Sequence, residues 1–99
     1  MANSSGDAIL QNHRAQISAI DLAVLQALNA RIALVQGLRE YKAAKGLPFH
    51  DAAQEDRVIA RLCQANQGPM SEEGLRELYD FLLAWTKREI TRHGEAAAQ

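Results

Sequence analysis

The chain is short of several residue types, and each shortage excludes something. Cys63 is the single cysteine among 99 residues, so no internal disulfide forms, a reducing compartment fits, and the thiol reads as structural. Aromatic residues make up only 5% of the sequence, and proline occurs twice, at Pro48 and Pro69. Positive charge is not in excess: eleven Lys and Arg against twelve Asp and Glu give a formal net charge of -1. A nucleic-acid partner, which wants a clustered basic surface, is therefore not expected. The opening MANSSGDAIL has neither a cationic start nor a long apolar core, so no signal peptide is read there. No apolar run approaches the roughly 20 residues of a membrane span. Cytoplasm is the expected setting, with no membrane partner. His13, His50 and His93 share no metal-ligand spacing, and neither a phosphate loop nor a nucleophile motif is found. The histidines read as surface residues, with no metal.

What is present is helical. No segment alternates like a strand, and two short punctuated gaps separate three helix-like stretches. The first runs from about Asp7 to Lys45, with Gly37 as its interior glycine, a cost of about 1 kcal/mol against alanine. It ends at KGLP, where Gly46 can take the left-handed C-cap conformation and Pro48 forbids continuation. The second opens at Asp51, an N-cap with Gln54 three residues on, a capping-box pattern, and carries Val58, Ile59 and Leu62 inward. The third begins at Ser71 after NQGPM and buries Leu75, Leu78, Tyr79, Leu82 and Leu83 before Gly94. Residues 1–7 and 95–99 are expected to fray.

Length then bears on assembly. A helix of about 38 residues spans roughly 57 Å, whereas a compact domain of this size has a radius of gyration of about 13 Å. Two short helices cannot cover such a rod. Its apolar seam should meet a second copy of the chain across a two-fold axis. The expected fold is all-α: a three-helix chain with one long N-terminal helix, forming an intertwined homodimer. A kink near Gly37 that folds the first helix back is the alternative.

The seam itself is odd. Stepping by sevens gives the rows Leu10, Ile17, Val24, Arg31, Leu38 and Arg14, Asp21, Leu28, Val35, Lys42. Three cations and one acid sit on them, and a buried charge needs a partner or a route to solvent. Escape at the seam's edge, or an ion pair through Asp21, are the structural readings. One acid cannot balance three cations, however, so the surplus points to a bound anion, with guanidinium suited to carboxylates. Arg31 and Lys42 lie eleven residues apart, about 16 Å along a helix, near enough for long side chains to converge on a small ligand. Arg14 lies about 25 Å from Arg31 and joins only from the partner of an antiparallel dimer, which makes the pocket composite. On the second helix Glu55 precedes Val58, Ile59 and Leu62 by three, four and seven residues and points inward with them. It can accept a hydroxyl or ammonium proton, or neutralise a cation. Thr86 and Ile90 continue the third helix's inward stripe. Thr86 can donate to a carboxylate or bond back to its own helix.

These residues resemble the all-helical chorismate mutase family across nearly the whole chain. The resemblance rests on R-x-x-I-x-x-I-D from Arg14 to Asp21, L-N-x-R ending at Arg31, and K-x-x-x-G-L-P from Lys42. D-x-x-x-E from Asp51 to Glu55 and N-x-G-P-M-S from Asn66 follow in order. It implies one chorismate-mutase-like helical domain over residues 1–99, an intertwined dimer, and a pocket for a dicarboxylate enol-pyruvyl ether. Arg31, and Arg14 from the other chain, match the family's carboxylate-binding arginines. Lys42 matches the lysine that donates to the ether oxygen. Glu55, with the backbone at Asp51, matches the group holding the ring hydroxyl, and Thr86 stands where a serine often lies beside a carboxylate. The implied reaction, chorismate to prephenate, is pericyclic and needs no cofactor. Catalysis selects a compact conformer and stabilises charge on the breaking ether oxygen.

Two departures stand out. Ile90 occupies the position where the family usually has a glutamine sharing the ether oxygen with the lysine. Losing such a donor typically costs about 2.7 to 4 kcal/mol, or roughly 100- to 1000-fold in rate. Gln54 replaces an arginine beside the glutamate and removes a cation there. The neighbouring Glu89 offers a donor only if protonated. Three alternatives follow: a pyruvate lyase acting on isochorismate, an enzyme acting on the 4-amino analogue of chorismate, and a non-catalytic helical dimer that retains a metabolite pocket.

Overall fold

The computed structural model describes residues 4–98. It contains three helices: α1 (Ser4–Ala44), α2 (Ala52–Ala65) and α3 (Glu72–Ala98). No strand occurs among the described residues, and the all-α expectation holds. The chain divides into two compact units, Met1–Leu34 and Val35–Gln99, with α1 contributing to both.

Helix α1 has no proline anywhere in its length, and Asp7 in its first turn and Lys42 in its last complement the helix dipole. It passes Gly37 as one uninterrupted element, so the alternative turn at that residue is not taken. In the first unit, Ile9, Leu10, Ile17, Ile20, Leu22, Val24 and Leu25 are all exposed. By length and composition α1 also meets the requirements of a membrane span, because an 18-residue stretch of it reaches a mean hydropathy of 1.5 with at most two charges. The average reaches this level without any uninterrupted apolar run of that length. Alanine, leucine and isoleucine on all faces raise the average even though polar residues interrupt every run.

The second unit shows how punctuation sets helix ends. At the end of α1, Gly46 adopts φ +70. The Leu47 N–H bonds to the Lys42 carbonyl at 2.8 Å and the Gly46 N–H to the Ala43 carbonyl at 3.2 Å, which is the Schellman pattern. Asp51 caps α2, its side chain accepting from the Gln54 N–H at 3.0 Å. The reciprocal half of the expected capping box is replaced, since Gln54 Oε1 accepts from Arg57 Nε at 3.0 Å. Asn66 closes α2 and holds the next loop through its side chain, donating to the Met70 carbonyl at 2.7 Å and accepting from the Gly68 N–H at 3.0 Å. Ser71 caps α3 through the Gly74 N–H at 3.0 Å.

Helix α3 then continues through Gly94 to Ala98. The expected stop at Gly94 fails because a lone interior glycine only weakens a helix, and Glu95 and three alanines after it favour continuation. Of the termini expected to fray, residues 1–3 and 99 lie outside the described residues. Packing between helices is chiefly α2 against α3. Ile59, Leu75 and Ile90 are buried, as is Thr86, while Val58, Leu62, Tyr79, Leu82 and Leu83 are half-buried. Leu78, expected inside, is 49% exposed, so the inward stripe of α3 is not covered along its whole width in the single chain. Cys63 is a half-buried free thiol.

Candidate functional site

The candidate residues divide between the units. Arg14 and Arg31 belong to the first, the former exposed and the latter half-buried on α1. The second unit holds Lys42, Asp51, Gln54, Glu55, Thr86 and Ile90, and there the geometry is specific.

Lys42 sits in the last turn of α1, with its carbonyl engaged in the Schellman bonds. Its Nζ donates to the Phe49 carbonyl at 3.4 Å, so the ammonium is turned toward the loop that enters α2 and is half-buried there. The Phe49 ring lies under a second cation, with the Arg39 guanidinium 5.7 Å from its centroid. One loop residue thus engages two of the cations near this end of α1, the backbone oxygen taking one and the ring face the other.

Glu55 lies in the first turn of α2 and is half-buried; its N–H bonds to the Asp51 carbonyl at 3.1 Å and fixes the turn. It has a partner from α3 that periodicity in α2 cannot show. Lys87 Nζ lies 2.7 Å from Glu55 Oε1. The same ammonium is 2.9 Å from His50 Nδ1, and that ring nitrogen is 3.9 Å from Glu55 Oε1. With lysine as the donor, His50 Nδ1 acts as acceptor. Side chains of Lys87 and Glu55 are 36% and 27% exposed, so the pair adds at most about 1 kcal/mol to stability. Its consequence is local charge.

Thr86 is buried, and its hydroxyl donates to the Leu82 carbonyl one turn back, at 2.7 Å. The back-bond, one of the two sequence readings, is formed. Ile90 is the most deeply buried large side chain, 2% exposed. It lines a pocket of about 230 Å³ with Gln36, Arg39, Glu40 and Ala43, an apolar wall facing polar groups of α1. Glu89, the other conceivable donor nearby, is tied to Arg92 Nη1 at 2.9 Å.

Three participants escaped sequence reasoning. Lys87 follows Leu83 by four residues and precedes Ile90 by three, a spacing that puts it on the inward side of α3. His50 is exposed, as expected of it, yet the residue before an N-cap often meets the fourth residue of the helix, which here is Glu55. Arg39 gave no signal, since it lies off the charged rows. No group of three or more metal-binding side chains occurs among the described residues.

Chorismate mutase type II is the family matched by residues 13–90 of the chain. The matched stretch contains every candidate from Arg14 to Ile90. The chain belongs to the chorismate mutase type II family. Two solved structures of chorismate mutase from Thermus thermophilus are similar to it. Form I is 27% identical, with a TM-score of 0.76, over 78% of this chain and 96% of that one. Form II is 26% identical, with a TM-score of 0.79, over 84% and 94% respectively. No curated protein matches. The resemblance read from the motifs is thereby borne out for family and fold.

Proposed function

We propose that this chorismate mutase family member isomerises chorismate to prephenate, as an intertwined homodimer with two composite sites. The observation that carries the reading is the family match over residues 13–90, which takes in Arg14, Arg31, Lys42, Asp51, Glu55, Thr86 and Ile90 in one stretch. In this reading Arg31 and the partner subunit's Arg14 hold the two carboxylates. Lys42 leaves the Phe49 carbonyl to donate to the ether oxygen. Glu55 receives the ring hydroxyl beside the Asp51 cap, and Gln54 and Thr86 complete the wall. Bond making and breaking are concerted, so the protein supplies conformer selection and charge stabilisation and needs neither nucleophile nor cofactor. With Ile90 in place of a donor, Lys42 polarises the oxygen largely alone, and the enzyme is slow for its family.

The dimer is supported by the apolar residues of α1 that stand exposed from Ile9 to Leu25, too many for a stable monomer surface. The charged rows containing Arg14, Asp21, Arg31 and Lys42 suit a partner helix and a ligand better than lipid. We therefore read α1 as a dimer helix and place the protein in the cytoplasm. A second reading, turnover of the 4-amino analogue, draws on Gln54, whose neutral side chain leaves Glu55 without the adjacent arginine.

Purified protein mixed separately with chorismate, isochorismate and the 4-amino analogue, with products identified, decides among these. Prephenate from chorismate is expected. No turnover of any of the three, with Arg31→Ala and Lys42→Ala changing only stability, would sink the enzyme reading in favour of a non-catalytic dimer.

A further inference from the structure

A carboxylate in a pocket does not by itself distinguish a hydroxyl from an ammonium group. Both donate to it, and a bare carboxylate holds the ammonium more strongly through charge. Glu55 is not bare. The Lys87 ammonium lies 2.7 Å from its Oε1, and His50 Nδ1 receives the same ammonium at 2.9 Å. Three separate segments build this arrangement: the loop before α2, the first turn of α2, and the C-terminal half of α3. Gln54 adds no charge to it, and Arg57 is drawn onto Gln54 Oε1.

We propose that Lys87 is a specificity-determining residue that makes the Glu55 subsite select a hydroxyl over an ammonium group on the substrate ring. The inference rests on the reading of Glu55 as the holder of the ring substituent. With Lys87 in place, carboxylate and ammonium together are neutral. A second ammonium arriving at Glu55 meets a like charge a few ångströms away, and that repulsion offsets its attraction to the carboxylate. It also surrenders more hydration than a hydroxyl does. A hydroxyl carries no net charge, so Lys87 leaves it unopposed, and it still finds an acceptor in the carboxylate. The lysine and His50 both approach Oε1, and a substrate hydroxyl bonds to the carboxylate through Oε2. The cation lost from the position of Gln54 is in this way replaced from α3, and the replacement closes the opening that Gln54 would give the amino analogue.

The test is kcat/KM for chorismate and for its 4-amino analogue in the wild type, Lys87→Met and Lys87→Arg. Methionine is expected to lower the chorismate-to-amino ratio about tenfold or more, chiefly through a lower KM for the amino compound. Arginine, which keeps the charge, is expected to hold the ratio near the wild-type value. Lys87→Gln reads the same ratio if the methionine variant melts early. A ratio that stays within about twofold in the charge-removing variants overturns the inference alone. So does an arginine variant that shifts as far as methionine. A wild-type protein that turns over neither compound overturns the functional reading and this inference with it.

Discussion

At the residue scale the proposed site turns on Ile90 and Lys42. Ile90 is 2% exposed, so an amide put there must find partners or carry the cost of burial, roughly 1 to 3 kcal/mol. The pocket it lines offers Gln36, Arg39 and Glu40 as such partners. Ile90→Gln is therefore expected to raise kcat for chorismate by about tenfold to 100-fold, as the second donor to the ether oxygen returns, while lowering Tm by a few degrees. Steady-state kinetics and a thermal melt read both, and an unchanged kcat would show that no donor is missing. Lys42→Ala is expected to lower kcat about 100- to 1000-fold with little change in stability, since its single 3.4 Å bond to Phe49 is long. Lys42 stood out in the sequence because charge on an apolar seam is costly and has to be explained, whereas its role at the ether oxygen and the missing donor at Ile90 were legible only through the family resemblance. Lys87 was legible in neither way, because a lysine beside an inward stripe is ordinarily a solvated one; only the position of α3 against α2 makes it the partner of Glu55.

Elements carry a different kind of information. KGLP, the Asp51 cap and NQGPMS marked helix ends correctly because each works through local chemistry: a positive φ at Gly46, an Asp side chain on an N–H, an Asn that ties its loop. Gly94 misled because a glycine has that force only where the chain takes a left-handed turn. Gln54 misled in part, since Arg57 competes for its oxygen. Two caps of equal strength then separate stability from activity. Asp51→Ala and Ser71→Ala should each cost about 1 kcal/mol in urea unfolding. The first is also expected to lower kcat/KM severalfold, because the Asp51 turn sets the backbone beside Glu55. Ser71 caps α3 at its far end from Thr86 and Ile90, and its variant should keep kcat/KM. Equal losses of activity in both variants would mean that helix stability, not placement of Glu55, governs the rate.

For the whole molecule the question is how far one chain suffices. The exposed side chains of Ile17, Val24 and Leu25 on α1 call for a cover, and length alone suggested that a second α1 provides it. If Arg14 serves the partner's site, Arg14→Ala and Lys42→Ala chains are each inactive as homodimers. Unfolded together in equal amounts and refolded, they pair at random, and half of the dimers contain one chain of each kind. In such a dimer one site loses both residues, while the other draws Arg14 from the Lys42→Ala chain and Lys42 from the Arg14→Ala chain. Activity is then expected to return to about a quarter of the wild-type level, from one intact site in half of the dimers. Sedimentation of the mixture should give a dimer at micromolar concentration. Recovery no greater than the sum of the two variants measured alone would place Arg14 and Lys42 in the same chain's site, and the composite pocket would have to be abandoned even if the protein is dimeric.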